Sequence, residues 1–166
     1  MPKPILVAYA TKHESTHEVA TALAVRMRIR GAAADVRPAS EIRSLEDYGA
    51  VVLGGALYAG RWHRDARHFL ARHRDALRKL PLAVFAMGPL KLETGDIDAS
   101  RRQLDRALAK EPDLEPISVR IFGGVIDPEK LRFPFTHMDA ADARDWDAIS
   151  AWAEELVRRL AEPAPV

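Results

Sequence analysis

The chain of 166 residues contains no cysteine. That absence excludes disulfides, thiolate zinc sites, iron–sulfur clusters and thiol nucleophiles, so any redox chemistry must come from a bound cofactor. No apolar run reaches the roughly eighteen residues of a membrane span, and no charged-then-apolar leader follows Met1; a cytoplasmic location is expected. Neither GxxxxGK[ST] nor GxGxxG occurs, and GxSxG for a nucleophile elbow is missing too. A phosphoacceptor receiver is also disfavoured, because the ends of its first and third strands would need acidic residues where this chain has Tyr9-Ala10-Thr11 and Gly54-Gly55-Ala56.

What is present is a globular composition of single-domain size, with residues 1–166 expected to form one domain and the proline-containing tail after about residue 161 expected to fray. The segment Pro4 to Tyr9 is a continuous apolar run suited to a strand buried on both faces. Val19, Ala20, Leu23, Ala24 and Met27 then recur at helical spacing, and Gly31 ends that helix. Ala33 to Arg37, Val51 to Leu53, Leu82 to Met87 and Ile117 to Phe122 read as further strands. Helices are expected over His63 to Lys79, around Ser100 to Lys110, and from Trp146 to Leu160. Five strands separated by helices imply an α/β fold, a doubly wound parallel sheet in a three-layer sandwich.

In such a sheet ligands bind beyond the carboxyl ends of the strands. The loop Thr11-Lys12-His13-Glu14-Ser15-Thr16 is hydroxyl-rich and opens a helix, whose N–H groups and dipole favour an anion; Ser15 or Thr16 is alternatively a simple helix cap. The loop after the third strand, Ala56-Leu57-Tyr58-Ala59-Gly60-Arg61-Trp62-His63, suits a planar ring, with Tyr58 and Trp62 as stacking partners or as covers of the core edge. Met87-Gly88-Pro89-Leu90 follows the fourth strand and completes the candidate pocket. No metal is expected: His63, His68 and His73 are spaced by five, which splays them by about 140° per step around a helix, and His13 with His17 reads as a surface pair.

The stretches YATKHESTHEVA, VVLGGALYAGRWHRDA and RDWDAISAWA resemble the flavodoxin-domain proteins, in particular the branch related to menaquinone-dependent protoporphyrinogen dehydrogenase. The resemblance implies a flavodoxin-like fold with FMN as cofactor. By the pattern [TS]x[TS]GxT, it places Thr11 to Thr16 around the flavin phosphate, with Thr11 and Thr16 as the matching hydroxyls. It also implies that residues 55–63 flank the isoalloxazine, that Met87 to Leu90 lie on its other side, and that Gly60 is the backbone position that reorients as flavin N5 gains a proton. His13 and Glu14 depart from the pattern, standing where it has a hydroxyl residue and a glycine. A side chain at the glycine position resists positive φ, and a carboxylate beside a phosphate repels it.

The formal net charge of +1 is unevenly spread, with seven Arg or Lys against two Asp in residues 61–79 and five against nine acidic residues in 121–166. Arg61 to Lys79 is thus a candidate contact for an anionic small molecule or a membrane surface, or simply a solvated face. The basic excess sits on one helix without aromatic-interleaved strands, so nucleic acid is not an expected partner. The resemblance implies oxidation of a tetrapyrrole or similar planar donor with a quinone acceptor; an electron carrier between redox proteins and a flavin-free interaction module are the alternatives. The segment Asp127 to Met138 reads as a packed connection, a lid or a membrane-touching loop, shorter and less basic than the insertion of the dehydrogenase branch.

Overall fold

A computed structural model describes residues 3–11, 14–88, 94–126, 141–142 and 144–161. Its elements run β1 (Ile5–Ala10), α1 (Ser15–Ile29), β2 (Ala34–Pro38), a 3-10 turn (Ala39–Glu41), β3 (Ala50–Tyr58), β4 (Arg61–Trp62), α2 (Arg64–Arg72), α3 (Arg74–Leu77), β5 (Leu82–Met87), α4 (Thr94–Leu108), β6 (Ser118–Phe122), β7 (Val125–Ile126), β8 (Ala141–Asp142) and α5 (Trp146–Ala161). The main sheet has the order β2-β1-β3-β5-β6, with every neighbouring pair along it parallel. The expected five-stranded doubly wound sheet is therefore present. Added to it are the short β4, antiparallel to the end of β3, and a separate β7/β8 ribbon.

Strand alternation divides the core into two layers. Leu6, Ala8, Ala10, Val51, Leu53, Val84 and Ala86 face α2 and α4, where they meet Ala66, Phe69, Leu70 and Leu104. Ile5, Val7, Val52, Ala83, Phe85 and Met87 face the other way, against Val19, Leu23 and Met27 of α1 and Ile149, Trp152 and Leu156 of α5. Each fully buried large side chain contributes about 1.5–3 kcal/mol relative to exposure, so the two layers supply the main force behind the sandwich. Phe85 also packs edge-on against Trp152, with centroids 5.9 Å apart. It lies so close over the neighbouring strand that a Cβ on Gly54 would sit 1.9 Å from its ring. Gly54 is the space that lets Phe85 lie flat on β3.

Two boundaries differ from expectation. Helix α4 begins at Thr94 rather than near Ser100; its first turns hold Ile97 as their one large apolar residue, too little for a periodic signal. The helix expected over His63 to Lys79 is broken into α2 and α3 at His73, whose backbone leaves helical geometry at φ −106° and ψ 19°. The ring of His73 is buried, tilts against Phe69 at 4.7 Å and places Nε2 3.2 Å from the Ile42 carbonyl, so the break seats a polar ring in the core with a partner. The tail beyond residue 161 and the segment Asp127 to Met138 lie outside the described residues.

Burial pushes the His73 pKa below its ordinary 6.5, outweighing the opposing pull of the Ile42 carbonyl and reinforced by Arg72. With the folded value depressed, the unfolded chain takes up the proton first. The contribution is therefore complete above about pH 6.5 and is lost as pH falls through the folded value. Urea unfolding of wild type and His73→Gln between pH 7.5 and 5 should show a steeper loss for wild type; parallel curves would show that His73 is not the titrating group.

Candidate functional site

Because the strands are parallel, their carboxyl ends share one edge of the sheet. Register fixes the line along that edge: Ala10 lies opposite Gly55, Ala56 opposite Met87, and Met87 opposite Phe122. The strand order reverses at β1, which has β2 on one side and β3 on the other, and α1 leaves from the end of β1. Loops from β1, β3 and β5 therefore converge where a ligand can reach all three.

The first loop is built around a left-handed turn. Glu14 has φ 66° and ψ −14°, immediately before α1, and its side chain makes no capping bond. This is the conformation that glycine adopts at least cost; with a Cβ it costs on the order of 1 kcal/mol. Ser15 and Thr16 are the first two residues of α1 and neither is its cap; the residue in the cap position is Glu14, whose side chain makes no capping bond. Thr16 is fully buried, and its Oγ1 is the one buried side-chain polar atom among the described residues that has no hydrogen-bond partner. An orphaned hydroxyl beside an uncapped helix start is a site prepared for an anion's oxygen atoms. Thr11 stands at the other end of the loop, half-buried; Lys12 and His13 lie outside the described residues.

The second loop is a hairpin. β3 continues past its partners in the main sheet and folds back at Ala59-Gly60, pairing Tyr58 with Arg61 and Leu57 with Trp62. Both turn residues have positive φ, 51° for Ala59 and 78° for Gly60, as a two-residue turn of the twist-matched kind requires. Tyr58, at 38% exposure, is presented at the edge, beside exposed Ala59 and Gly60; Ala56 and Leu57 are half-buried. Of the two readings of Trp62, stacking partner or cover of the core edge, the structure takes the second. Trp62 is 1% exposed, packs in the α2 layer and donates from Nε1 to the Gly55 carbonyl at 3.0 Å. Tyr58 alone of the two aromatics is exposed for stacking.

The third loop begins at Met87 and Gly88. The Met87 side chain belongs to the α1/α5 core layer, so only its backbone faces the loop. Gly88 donates its N–H to Phe122 at 2.8 Å, and a Cβ added there would meet Ser100 Oγ at 2.7 Å. Pro89 and Leu90 lie outside the described residues.

Sequence reasoning missed two features of the β1 end. Tyr9 and His17 stack with centroids 4.4 Å apart and planes 16° off parallel, and burial, with Glu41 and Glu14 adding to it, raises the Tyr9 phenol pKa. Arg144, whose side chain is nearly buried, bonds Glu18 of α1 at 3.0 Å and Asp142 of β8 at 2.8 Å, and lies over the Trp146 ring at 4.7 Å. Its hydrogen bond holds the Asp142 carboxyl below the usual range. No local pattern announces a pair separated by 126 residues. Among the described residues no three His, Asp or Glu side chains group as metal ligands would.

The residues described fit a phosphate-bearing ligand at α1, with the unpartnered Thr16 Oγ1 and the backbone N–H groups of the helix start as its holders. Thr16→Val keeps the shape and deletes the orphan. It should stabilise the ligand-free protein by about 1 kcal/mol in urea unfolding, since an unsatisfied buried hydroxyl costs on that order. The same change should weaken FMN binding; a variant less stable than wild type and unchanged in FMN titration would remove Thr16 from the site.

Comparison with known proteins places this geometry. The flavodoxin domain model matches residues 6–138. The chain is 29% identical over 175 aligned positions, covering 95% of it and 97% of the relative, to the protoporphyrinogen IX dehydrogenase [quinone] of Escherichia coli K12. Among solved structures it is similar to oxidised flavodoxin 2 from Bacillus cereus, with TM-score 0.63, 17% identity and coverage of 94% of this chain and 99% of that one. It is also similar to rubredoxin oxygen:oxidoreductase from Desulfovibrio gigas, with TM-score 0.60 and 16% identity, where it spans only 37% of that longer chain. With the family model spanning most of the sheet and all three strand-end loops converging as that fold requires, the chain belongs to the flavodoxin-domain family and is a flavodoxin-like redox protein that binds FMN.

Proposed function

We propose that the chain is a flavin-dependent dehydrogenase that removes hydrogen from a planar, carboxylate-bearing donor of the tetrapyrrole class and delivers it to a quinone. Each donor oxidation releases two electrons and two protons, which together convert one quinone to its quinol. FMN, when bound, supplies hydride acceptance at N5 and release of electrons singly or in pairs. The protein's own part is to hold the phosphate at Thr11 and Thr16, to present Tyr58 and the Ala59-Gly60 backbone to the ring, and to draw an anionic donor to that edge.

The observation that carries this reading is the charge beside the hairpin. Arg61, in the hairpin, and Arg64, which begins α2 directly after it, are exposed, and neither has a carboxylate partner among the described residues. Some arginines elsewhere are paired, Arg26 and Arg30 with Glu154, Arg120 with Glu155 and Arg101 with Asp105, whereas Arg37, Arg43, Arg102 and Arg106 are exposed and without a carboxylate partner among the described residues; what sets Arg61 and Arg64 apart is their place at the hairpin. A carrier that docks on basic reductases would carry the opposite charge at this edge. The named activity of the Escherichia coli relative, a quinone-linked protoporphyrinogen dehydrogenase, agrees with an anionic planar donor. The same helix face suits peripheral contact with an anionic bilayer, the phase in which a lipid quinone resides, at about 1 kcal/mol per basic residue near the surface. No helix among the described residues is long and apolar enough to cross a membrane.

The test is turnover of FMN-loaded protein with a porphyrinogen donor and a short-chain quinone. Wild type should turn over, and should slow as ionic strength rises; Arg61→Glu with Arg64→Glu should cut kcat/KM by roughly tenfold at low salt and lose most of the salt dependence. Reduction of the quinone that is indifferent to salt and to both reversals would leave α2 as a solvated face. Transfer only to redox proteins would make the chain a carrier.

A further inference from the structure

Resting on the flavin-binding reading above, we infer that Trp62 is a positioning residue for the flavin ring: its buried indole pins the return arm of the hairpin against β3 and α2, and so fixes where Tyr58 stands at the binding edge. β3 leaves β1 at Gly55, opposite Ala10, and leaves β5 at Ala56, opposite Met87. Among the described residues Leu57 and Tyr58 then pair with β4 alone, through Trp62 and Arg61. Two cross-strand pairs around a two-residue turn make a hairpin that is marginally stable by itself. The position of Tyr58 therefore depends on what holds β4.

The holds converge on Trp62. Its indole Nε1 donates to the Gly55 carbonyl at 3.0 Å. The ring fills the space that Gly55 leaves by having no side chain: a Cβ there would stand 2.7 Å from Nε1 and 3.2 Å from Cδ1. From the α2 side, half-buried Arg67 donates its Nε to the Trp62 carbonyl at 3.0 Å. The N–H of the next residue, His63, bonds the Ala56 carbonyl at 2.9 Å. Leu57, opposite Trp62, reaches over the start of the third loop, with its Cδ1 3.2 Å from where a Cβ on Gly88 would lie. The two aromatics thus divide the work: Trp62 anchors the hairpin in the core, and Tyr58, in the neighbouring cross-strand pair, is presented to the ligand. With the anchor loosened, the hairpin must be ordered as the flavin binds, and that ordering reduces the net affinity. A stacked aromatic pair contributes about threefold to tenfold in affinity, which bounds the loss that Trp62 can cause through Tyr58.

A double-mutant cycle of wild type, Trp62→Phe, Tyr58→Val and the double variant tests this. Trp62→Phe keeps an aromatic ring in the α2 layer and deletes the Nε1 donor; Tyr58→Val keeps a good strand former and removes the stacking ring. Each flavin-free protein is titrated with FMN and with riboflavin by quenching of flavin fluorescence, and its urea midpoint is recorded. Trp62→Phe should weaken both flavins alike, by about threefold to tenfold, because both carry the same ring. With Tyr58 already replaced, Trp62→Phe should cost less than about twofold. A residue that only supports the core would lower the urea midpoint and show no such coupling to Tyr58. Where Trp62→Phe does not fold, Arg67→Met cuts the hold from the α2 side and is read by the same cycle with riboflavin, whose lack of charge removes the effect of the lost cation. Flavin affinity left unchanged by the substitution, or a loss of equal size with and without Tyr58, overturns the inference while the flavin site stands. Quenching of neither flavin by wild type overturns the flavin-binding reading itself, and the inference with it.

Discussion

Burial of the parallel sheet on both faces is the constraint from which the rest follows. With Leu6, Ala8 and Ala10 committed to one layer and Ile5 and Val7 to the other, β1 cannot slip by a residue without exchanging its two cores. Each crossover must pass over a covered face, so the strands point the same way and their carboxyl ends fall on one edge. The contacts that make the sandwich stable thus also place Thr11, Tyr58 and Gly88 in one neighbourhood. Close fits hold the spacing: Phe85 occupies the volume that a side chain on Gly54 would need, and Trp62 closes over the Gly55 carbonyl.

On that rigid base the two loops carry strain. Glu14 and Ala59 are the non-glycine residues with positive φ among those described, and each lies in a loop at the binding edge. Positions of this kind persist only where the surroundings over-determine them. For Glu14 the surroundings are the start of α1 and the core beneath Thr16; for Ala59 they are the β3/β4 pairing, which needs positive φ at both turn positions. The unpartnered Thr16 hydroxyl belongs to the same pattern: stability is forgone at the place where a ligand would restore it.

Much of this was legible in the sequence, for identifiable reasons. β1 and β5 are unbroken apolar runs, and α1 shows its stripe at helical spacing, so the α/β architecture and the loop after β1 could be read directly. The pairing of a glycine with a preceding alanine at the hairpin tip was less informative. Trp62, one of two aromatics in that loop, read equally as a ring partner or as a cover of the core edge. The two-residue turn brings it opposite Leu57, and its side chain joins the α2 layer. The break at His73 was hidden because the helical stripe continues through it, while the partner that bends the chain, the Ile42 carbonyl, lies 31 residues earlier. Arg144 and Glu18 were invisible for the same reason, since charge pairing across the fold leaves no local periodicity.

The central claim is that the loop from Thr11 to Thr16 holds the phosphate of a flavin at the sheet edge. Equilibrium titration of the purified, flavin-free protein with FMN, followed by flavin fluorescence and by the visible absorption bands, tests it most directly. The account predicts saturable quenching with about one flavin bound per chain and a perturbed visible spectrum, as expected for a ring taken out of water and stacked beside Tyr58. FMN fluorescence that stays unchanged as protein is added would contradict it.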